Sequence, residues 1–401
     1  MERIHIAVIG PVNSGKSTLV NALCGQEVSL VSPVAGTTTD PVRKAVELPG
    51  LGACVIIDTP GLEDDSPLGP ERMRRTLSAI DEADILVQVI PPSQIVGRKE
   101  QKPTVFAPSV HENGTVDTPT VVYTPGEPVQ DLIERIREAL PREEKCLLTG
   151  DLVKPGDKVV LVMPQDSEAP KGRIILPQVQ VLRELLDRGC IPVCCTPETL
   201  RGAMEVGPSL VITDSQVFKE VDAAVPKDTP LTSFSVLLAA NKGDINVFVQ
   251  GARAIERLRP GDRVLIAEAC THVPDSEDIG RKKIPAMLQR IVSPSTSENI
   301  SPSRTKTFSP TKRSKKFCPT PEKEGPLSID IAAGNDFPED LSQYALIIHC
   351  GACVASSALV RSRIKKALRA GVPITNYGIA IAALQGILDR IAIPRIRPQS
   401  F

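Results

Sequence analysis

Two groups of residues in this sequence have types and spacing that suit chemistry. The first is Cys270-Thr271-His272 together with His349-Cys350-Gly351-Ala352-Cys353. Each follows an apolar run that reads as a strand, Val264-Leu265-Ile266-Ala267 in one case and Ala345-Leu346-Ile347-Ile348 in the other. The cysteines therefore stand at strand carboxyl ends, the edge where ligands gather in open α/β sheets. Two neighbouring parallel strands would bring three thiols and two imidazoles to one place. Thiolates suit zinc or iron–sulfur clusters, and imidazole supplies a more exchangeable ligand. Three cysteines leave one position of a four-thiolate set open. A Cys-x-x-Cys pair at such a turn also suits a redox dithiol or plain burial, and the Cys-x-His element tips the balance to a metal. A helix over Val354 to Leu368, starting near Cys353, would aim backbone N–H groups at the sulfurs.

The second group is Gly10-Pro11-Val12-Asn13-Ser14-Gly15-Lys16-Ser17, placed between the strand pattern Ile4 to Ile9 and the helical pattern Thr18 to Leu23. This is the G-x-x-x-x-G-K-S phosphate loop in its strand–loop–helix context. Gly10, Asn13, Ser14, Gly15, Lys16, Ser17 and Thr18 are the candidate nucleotide-binding residues. The glycines let the backbone wrap the phosphates, Lys16 reaches the outer ones and Ser17 offers its hydroxyl to Mg²⁺. Downstream, Gly36-Thr37-Thr38-Thr39-Asp40 supplies hydroxyls, with Thr38 closing over Mg²⁺ and the γ-phosphate. The strand Cys54 to Ile57 ends in Asp58-Thr59-Pro60-Gly61, where Asp58 holds Mg²⁺ through water and the Gly61 amide senses the γ-phosphate. Lys16, Thr38, Asp58 and Gly61 form the candidate catalytic set of a GTPase-like switch.

A guanine-reading Asn-Lys-x-Asp loop should follow the strand Ile85 to Ile90. The stretch Pro91 to Pro128 is instead rich in Pro, Thr, Ser and Val and lacks one. Asn241-Lys242-Gly243-Asp244 lies far downstream, beyond a whole α/β segment, and reads as a polar turn after a strand over Val236 to Ala240. Guanine selectivity is therefore not established by sequence.

The elements that must position these residues alternate strand and helix, which argues an α/β protein with parallel sheets. The pattern divides into residues 1–145, a P-loop GTPase-like domain; 150–244, a small parallel α/β domain; and 245–401, an α/β domain carrying the thiols. The middle domain has a packed sheet and no site of its own, so it is the candidate for self-association. The third is interrupted at about 293–325 by a run of Ser, Pro, Thr, Lys and Arg, disordered by composition. Its Lys312-Arg313-Ser314-Lys315-Lys316 reads as a solvated charge run, and its Cys318 is a remote candidate for a fourth thiolate.

With 47 basic and 48 acidic residues in 401, nothing global suggests nucleic acid or a membrane surface. Gly371 to Leu388 lacks basic and acidic residues but contains Pro373, Thr375, Asn376 and Gln385, so it reads as a core turn and helix, not a span. The chain opens on a strand pattern without a signal peptide, so the ten cysteines imply a reducing compartment. Cys24, Cys54, Cys146, Cys190, Cys194 and Cys195 read as inert, the last three as core.

The whole pattern resembles HydF, the maturation GTPase family of FeFe-hydrogenases. The resemblance rests on Gly36-Thr37-Thr38-Thr39-Asp40-Pro41, Ala169-Pro170-Lys171-Gly172-Arg173 with Leu176-Pro177-Gln178-Val179-Gln180, and Thr213-Asp214-Ser215-Gln216-Val217-Phe218. It also rests on Ala267-Glu268-Ala269-Cys270-Thr271-His272, His349-Cys350-Gly351 and Gly371 to Ala380. It implies a GTPase, a dimerisation domain and a cluster domain, with a 4Fe-4S cluster on Cys270, Cys350 and Cys353. His272 and His349 would then lie near the open iron, and Asn13 would hold a K⁺ ion beside the phosphates of GTP and its Mg²⁺. The implied role is that of a homodimeric scaffold, which receives a di-iron precursor from two radical-SAM maturases and passes it to the apo FeFe-hydrogenase. The implied setting is the cytoplasm, or a hydrogenosome or plastid in a eukaryote. The sequence departs from the family at the missing guanine loop, at the basic insertion, and at Val273-Pro274 after His272. Two other readings stay open: a conventional translation- or tRNA-associated GTPase with structural zinc, and a cluster-binding module with a decayed GTPase.

Overall fold

The computed structural model describes residues 3–11, 13–25, 41–60, 69–90, 118–140, 147–165, 174–269, 278–292, 326–334, 336–353 and 355–395. The chain divides into two compact units, Met1–Cys146 with Val354–Arg363, and Leu147–Cys353 with Ile364–Phe401.

In the first unit the elements are β1 (Ile4–Ile9), α1 (Lys16–Cys24), β2 (Val42–Leu48), β3 (Gly52–Asp58), α2 (Gly69–Glu82), β4 (Ile85–Val89), β5 (Thr120–Tyr123) and α3 (Val129–Ala139). The sheet order is β2-β3-β1-β4-β5, with β2 antiparallel to β3 and the other pairs parallel. Alternate side chains of β1 go to opposite faces, and both faces are dry. Ile6 and Val8 pack with Leu19, Leu23, Leu132 and Ile136, while Ala7 and Ile9 pack with Ala79, Ile80 and Leu86. A strand buried on both faces reads as a continuous apolar run, which is what Ile4 to Ile9 shows. The strand β5 was not expected within Pro91 to Pro128. Four residues flanked by turn formers leave too short a pattern to read.

The second unit contains two sheets. The first uses β6 (Lys158–Val162), α4 (Leu176–Asp187), β7 (Ile191–Cys195), α5 (Leu200–Ala203), β8 (Leu210–Thr213), α6 (Phe218–Ala224), β9 (Leu231–Ser233) and α7 (Phe234–Lys242). After α8 (Ile245–Ala252), the second uses β10 (Arg263–Glu268), α9 (Ile284–Val292), β11 (Ser328–Ala333), β12 (Leu346–His349), α10 (Ser357–Arg369), β13 (Ile374–Asn376) and α11 (Tyr377–Leu384). Both sheets are four-stranded and parallel, in the orders β7-β6-β8-β9 and β11-β10-β12-β13.

These two sheets repeat one plan. Val159 pairs with Leu210 and Val162 with Thr213; correspondingly Val264 pairs with Leu346 and Ala267 with His349. Thr213 then pairs with Ser233, as His349 pairs with Asn376. Each first strand is entered through Pro-Gly-Asp, with Asp157 Oδ2 accepting from Lys154 N (2.7 Å) and Asp262 Oδ2 from Arg259 N (2.9 Å). Each last strand ends in a helix cap, where Ser233 Oγ accepts from Val236 N and Asn376 Oδ1 from Ile379 N.

Four expectations need correction. The apolar run Phe234 to Ala240 is the helix α7 and not a strand, and the strand before it, β9, has only three residues. A short apolar run does not separate the two by period alone, and the Ser233 cap decides it. The pattern Ile245 to Leu258 reads as one helix, but α8 stops at Ala252 and a separate 3-10 turn follows at Ile255–Arg257. The helix after the second thiol pair starts at Ser357, not beside Cys353, where Ser356 Oγ accepts from Leu359 N. Cys190 is buried, but Cys195 is half-buried and Cys194 exposed on the edge strand β7, so only the first is a core residue. Cys146, Cys318 and the insertion at 293–325 lie outside the described residues.

The second unit packs without room to spare, both within its second half and between its halves. A Cβ on Gly251 of α8 would lie 2.0 Å from Ile374 O of β13, and one on Gly378 would lie 2.1 Å from Ser235 Oγ of α7. Gly251→Ala should therefore lower unfolding stability by about 1–3 kcal/mol through overpacking. Gly202→Ala, whose added methyl meets nothing within 4 Å, should be neutral or slightly stabilising; urea unfolding of both variants checks this.

Candidate functional site

The nucleotide site is built where β1 gives way to α1. Gly10, at φ +151°, passes under Val89, where a Cβ would come within 2.6 Å of the carbonyl oxygen, and Gly15 takes φ +93° to open the helix. Neither conformation suits an L side chain. Lys16 is buried, and its Nζ donates to Gly10 O (3.1 Å) and Pro11 O (2.6 Å). Burial lowers its pKa below the ordinary lysine value, against an opposing pull from Asp58. Ser17 Oγ donates to Asp58 Oδ2 at 2.8 Å, so the phosphate loop and the end of β3 converge on one point. The strand end is anchored as well: Thr59 Oγ1 donates to Val8 O (2.7 Å) and Thr76 Oγ1 to Pro60 O (3.1 Å).

This set fits a nucleoside triphosphate with Mg²⁺: a hydroxyl and a carboxylate meet where the metal belongs, and an ammonium is stored within the loop that wraps the phosphates. Ser14 is buried, and Asn13 and Thr18 are exposed, Asn13 at φ 60°. Thr38 and Gly61 lie outside the described residues. Asn241-Lys242-Gly243-Asp244 is not a loop following a strand. Lys242 ends α7, Gly243 packs against Phe248 and Ile364, and Asp244 Oδ1 caps α8 by accepting from Asn246 N and Val247 N.

The thiol site is built on the parallel pair β10 and β12. Cys350 N donates to Ala267 O (2.9 Å), continuing the ladder one residue past His349. Cys350 Sγ accepts from Ala269 N (3.1 Å) and Ala352 N (3.4 Å). Amide donors favour a thiolate, and here the loop supplies them in place of the helix expected at Cys353. Ala352 holds φ +50°, which folds the Cys350–Cys353 turn tightly. His349 is buried, with Nδ1 2.7 Å from Cys350 O. Cys350 and Cys353 are half-buried. Cys270 and His272 lie outside the described residues, and among the described residues no group of three His, Cys, Asp or Glu side chains is placed to hold a metal. The residues that are described fit a thiolate-held iron–sulfur group, because Cys350 is already furnished with two N–H donors.

Around this edge lie residues that sequence reasoning did not single out. Glu268, 2% exposed, takes both Nε and Nη2 of Arg281. Asp278 Oδ1 accepts from Arg281 N (2.7 Å) and caps a π-helical turn at Ile279–Lys283. Tyr377 Oη fills the space beside Gly280, where a Cβ would come within 1.9 Å of it, and has no hydrogen-bond partner among the described residues. Burial pushes its pKa up, with Cys350 and Glu268 adding to the effect. No local spacing announces these contacts. The one available signal was Glu268, an acid directly after the apolar run Val264 to Ala267.

A phosphate loop whose Ser17 meets Asp58 at the end of β3, followed by parallel α/β sheets with thiols at one edge, defines a P-loop GTPase-like domain joined to α/β domains of a different class. Residues 5–139 match the family described as 50S ribosome-binding GTPase. Residues 148–243 match the Hydrogen maturase F dimerization domain, and residues 246–315 and 321–394 the Hydrogen maturase F tetramerization domain. The chain belongs to the hydrogen maturase F family. It thus combines a GTPase-family domain with the two domains that family describes as serving dimerization and tetramerization.

Among curated relatives it is similar to the tRNA modification GTPase MnmE of Methylobacterium sp. (strain 4-46), 42% identical over 93 residues, which are 23% of this chain and 21% of that protein. It is also similar to GTPase Der of Thermotoga petrophila, 38% identical over 106 residues, 25% of this chain and 24% of the relative. The chain thus spans less than a quarter of the length of each. A crystal structure of Era from Aquifex aeolicus overlaps 49% of this chain and 93% of its own at 20% identity, with a TM-score of 0.28, too low to carry an argument. Among the described residues no helix is long and apolar enough to cross a membrane.

Burial pushes the pKa of Cys54 and Cys195 up to about 11. The thiolate is the reactive form, so at pH 8 about one part in a thousand of each thiol is nucleophilic. In metal-free protein both should resist iodoacetamide at pH 8 and react faster as the pH approaches 11, read by mass spectrometry of the labelled peptides.

Proposed function

We propose that this protein is a scaffold and carrier in hydrogenase maturation. Cys270, Cys350 and Cys353 would hold a 4Fe-4S cluster, and His272 and His349 would lie near its open iron position. In this reading the chain works as three parts: a GTP switch at 1–145, a dimerisation domain at 150–244 and a cluster domain at 245–401. The observation that carries it is the Ala269 N–H donated to Cys350 Sγ across the ends of β10 and β12. It sets the thiol of Cys350 against the residue that immediately precedes Cys270. When bound, the cluster supplies an iron with an exchangeable coordination position. The protein's own part is to keep thiolates charged through N–H donors and to fix the two strand ends. The cargo, a di-iron precursor, would come from two radical-SAM maturases and leave to the apo FeFe-hydrogenase.

Lys16, Thr38, Asp58 and Gly61 would serve nucleotide turnover, with Ser17, Thr38 and Asp58 around Mg²⁺ and Asn13 at a K⁺ ion. A second reading, a cluster carrier with a decayed GTPase, is favoured by one feature: β5 runs into Thr124-Pro125-Gly126-Glu127 where a guanine-reading loop would stand. For self-association, the supporting feature is the edge strand β7 with its neighbour α4. Ile174, Leu176, Val179, Leu186 and Ile191 are all exposed there.

Two experiments test these readings. Anaerobic reconstitution with iron and sulfide should give wild type an iron–sulfur absorption band that Cys350→Ser loses while still binding GTP, since the two sites belong to separate units. A colourless wild type that retains zinc would overturn the carrier reading. A coloured protein that hydrolyses no GTP with Mg²⁺ and K⁺ would favour the decayed GTPase. Separately, Ile191→Asp should convert a dimer to a monomer in light scattering, because an ionised carboxylate would have to be desolvated at the interface.

A further inference from the structure

The lysine of the misplaced Asn-Lys-Gly-Asp sequence has no base to read, yet it is 6% exposed. From the end of α7, in the first sheet's half of the second unit, Lys242 Nζ donates to Ala352 O at 2.7 Å and, more weakly, to Cys353 O at 3.5 Å. These are carbonyls of the Cys350–Cys353 turn in the other half. Resting on the cluster reading above, we propose that Lys242 is a positioning residue of the thiol loop, which holds that turn in ligand geometry and sets a fixed positive charge against the bound cluster.

Three observations carry this. First, Ala352 sits at φ +50°, a conformation that a residue with a Cβ adopts only when its surroundings enforce it. The Lys242 ammonium grips the carbonyl of that same residue. Second, the loop it grips is the one whose Cys350 sulfur already draws two amide donors. The negative charge of a cluster held by thiolates would therefore arrive next to a buried ammonium, in surroundings where charges are weakly screened.

Third, the two sheets of this unit supply their own comparison. Counted from the caps Ser233 and Asn376, the position in α11 that corresponds to Lys242 is Gln385, and each is followed by glycine. Gln385 is neutral, and its Oε1 is buried without a hydrogen-bond partner among the described residues. A lysine thus ends the helix that reaches the thiol turn, and the corresponding helix ends in an uncharged side chain. Reduction adds negative charge to a cluster, so a nearby cation stabilises the reduced form and raises the potential.

The test is redox titration, followed by electron paramagnetic resonance, of full-length protein reconstituted anaerobically with iron and sulfide. Wild type, Lys242→Gln and Lys242→Arg are compared. Lys242→Gln is expected to show a lower midpoint potential and less iron per chain, and Lys242→Arg, which keeps the charge, to recover both toward wild type. A Gln variant with wild-type potential and iron content would overturn the proposal while leaving the cluster reading intact. A wild-type chain that takes up no iron would overturn both. Circular dichroism of the metal-free proteins guards against a folding defect, with Lys242→Met as the second neutral variant. If neither neutral variant folds without metal, Lys242 belongs to packing alone and the proposal falls.

Discussion

The hydrogen-bonded pairing of β10 with β12 is the constraint on which the thiol site depends. Nothing local draws the turn after β12 toward the turn after β10, since the whole of α9, β11 and the insertion separates them in sequence. Parallel pairing does so in register, Val264 against Leu346 through Ala267 against His349, and the Cys350 amide adds one more rung on Ala267. Slipping that register by one residue would turn every side chain of the strand to the other face of the sheet. The cost of such a slip is high because Val264, Leu265, Ile266 and Ala267 are all buried, as are Leu346, Ile347 and Ile348. Core packing thus determines where the sulfurs stand. The close contact of Gly251 with Ile374 extends the same constraint to β13 and α8.

Much of this was legible in the sequence, for identifiable reasons. The phosphate loop is a local device, in which strand, glycines, lysine and helix follow one another between Ile4 and Cys24, so its reading needed no tertiary knowledge. The strands β10 and β12 are apolar runs of ordinary length that end in chemically distinctive residues. What escaped were features decided at a distance or by one cap. The helix α7 has the composition of a buried strand, and only the Ser233 cap distinguishes it. The short strand β5 is visible mainly because β4 lies beside it. The grip of Lys242 on Ala352 joins residues 110 positions apart, which no window of sequence contains, and the salt bridge of Glu268 with Arg281 follows no helical or strand period.

The two units handle charge in a common way. In each, an ammonium is buried and rests on two backbone carbonyls of a loop that we propose meets an anion. Lys16 rests on Gly10 and Pro11, and Lys242 on Ala352 and Cys353. Carbonyl dipoles satisfy the donors at modest cost. An anion arriving at either loop therefore meets a cation already in place, with little rearrangement required.

The matched sheets of the second unit also bear on how such a site comes to exist. Strand order, register, entry turn and helix cap agree, so Thr213, Asp214 and Ser233 occupy the places of His349, Cys350 and Asn376. A tandem duplication accounts for this with one event, after which the copies diverged at their sheet edges. One edge carries hydroxyls and a carboxylate, and the other sulfur and imidazole. On such a shared framework the chemistry of an edge changes by exchanging side chains alone, and the strands that position it need not change.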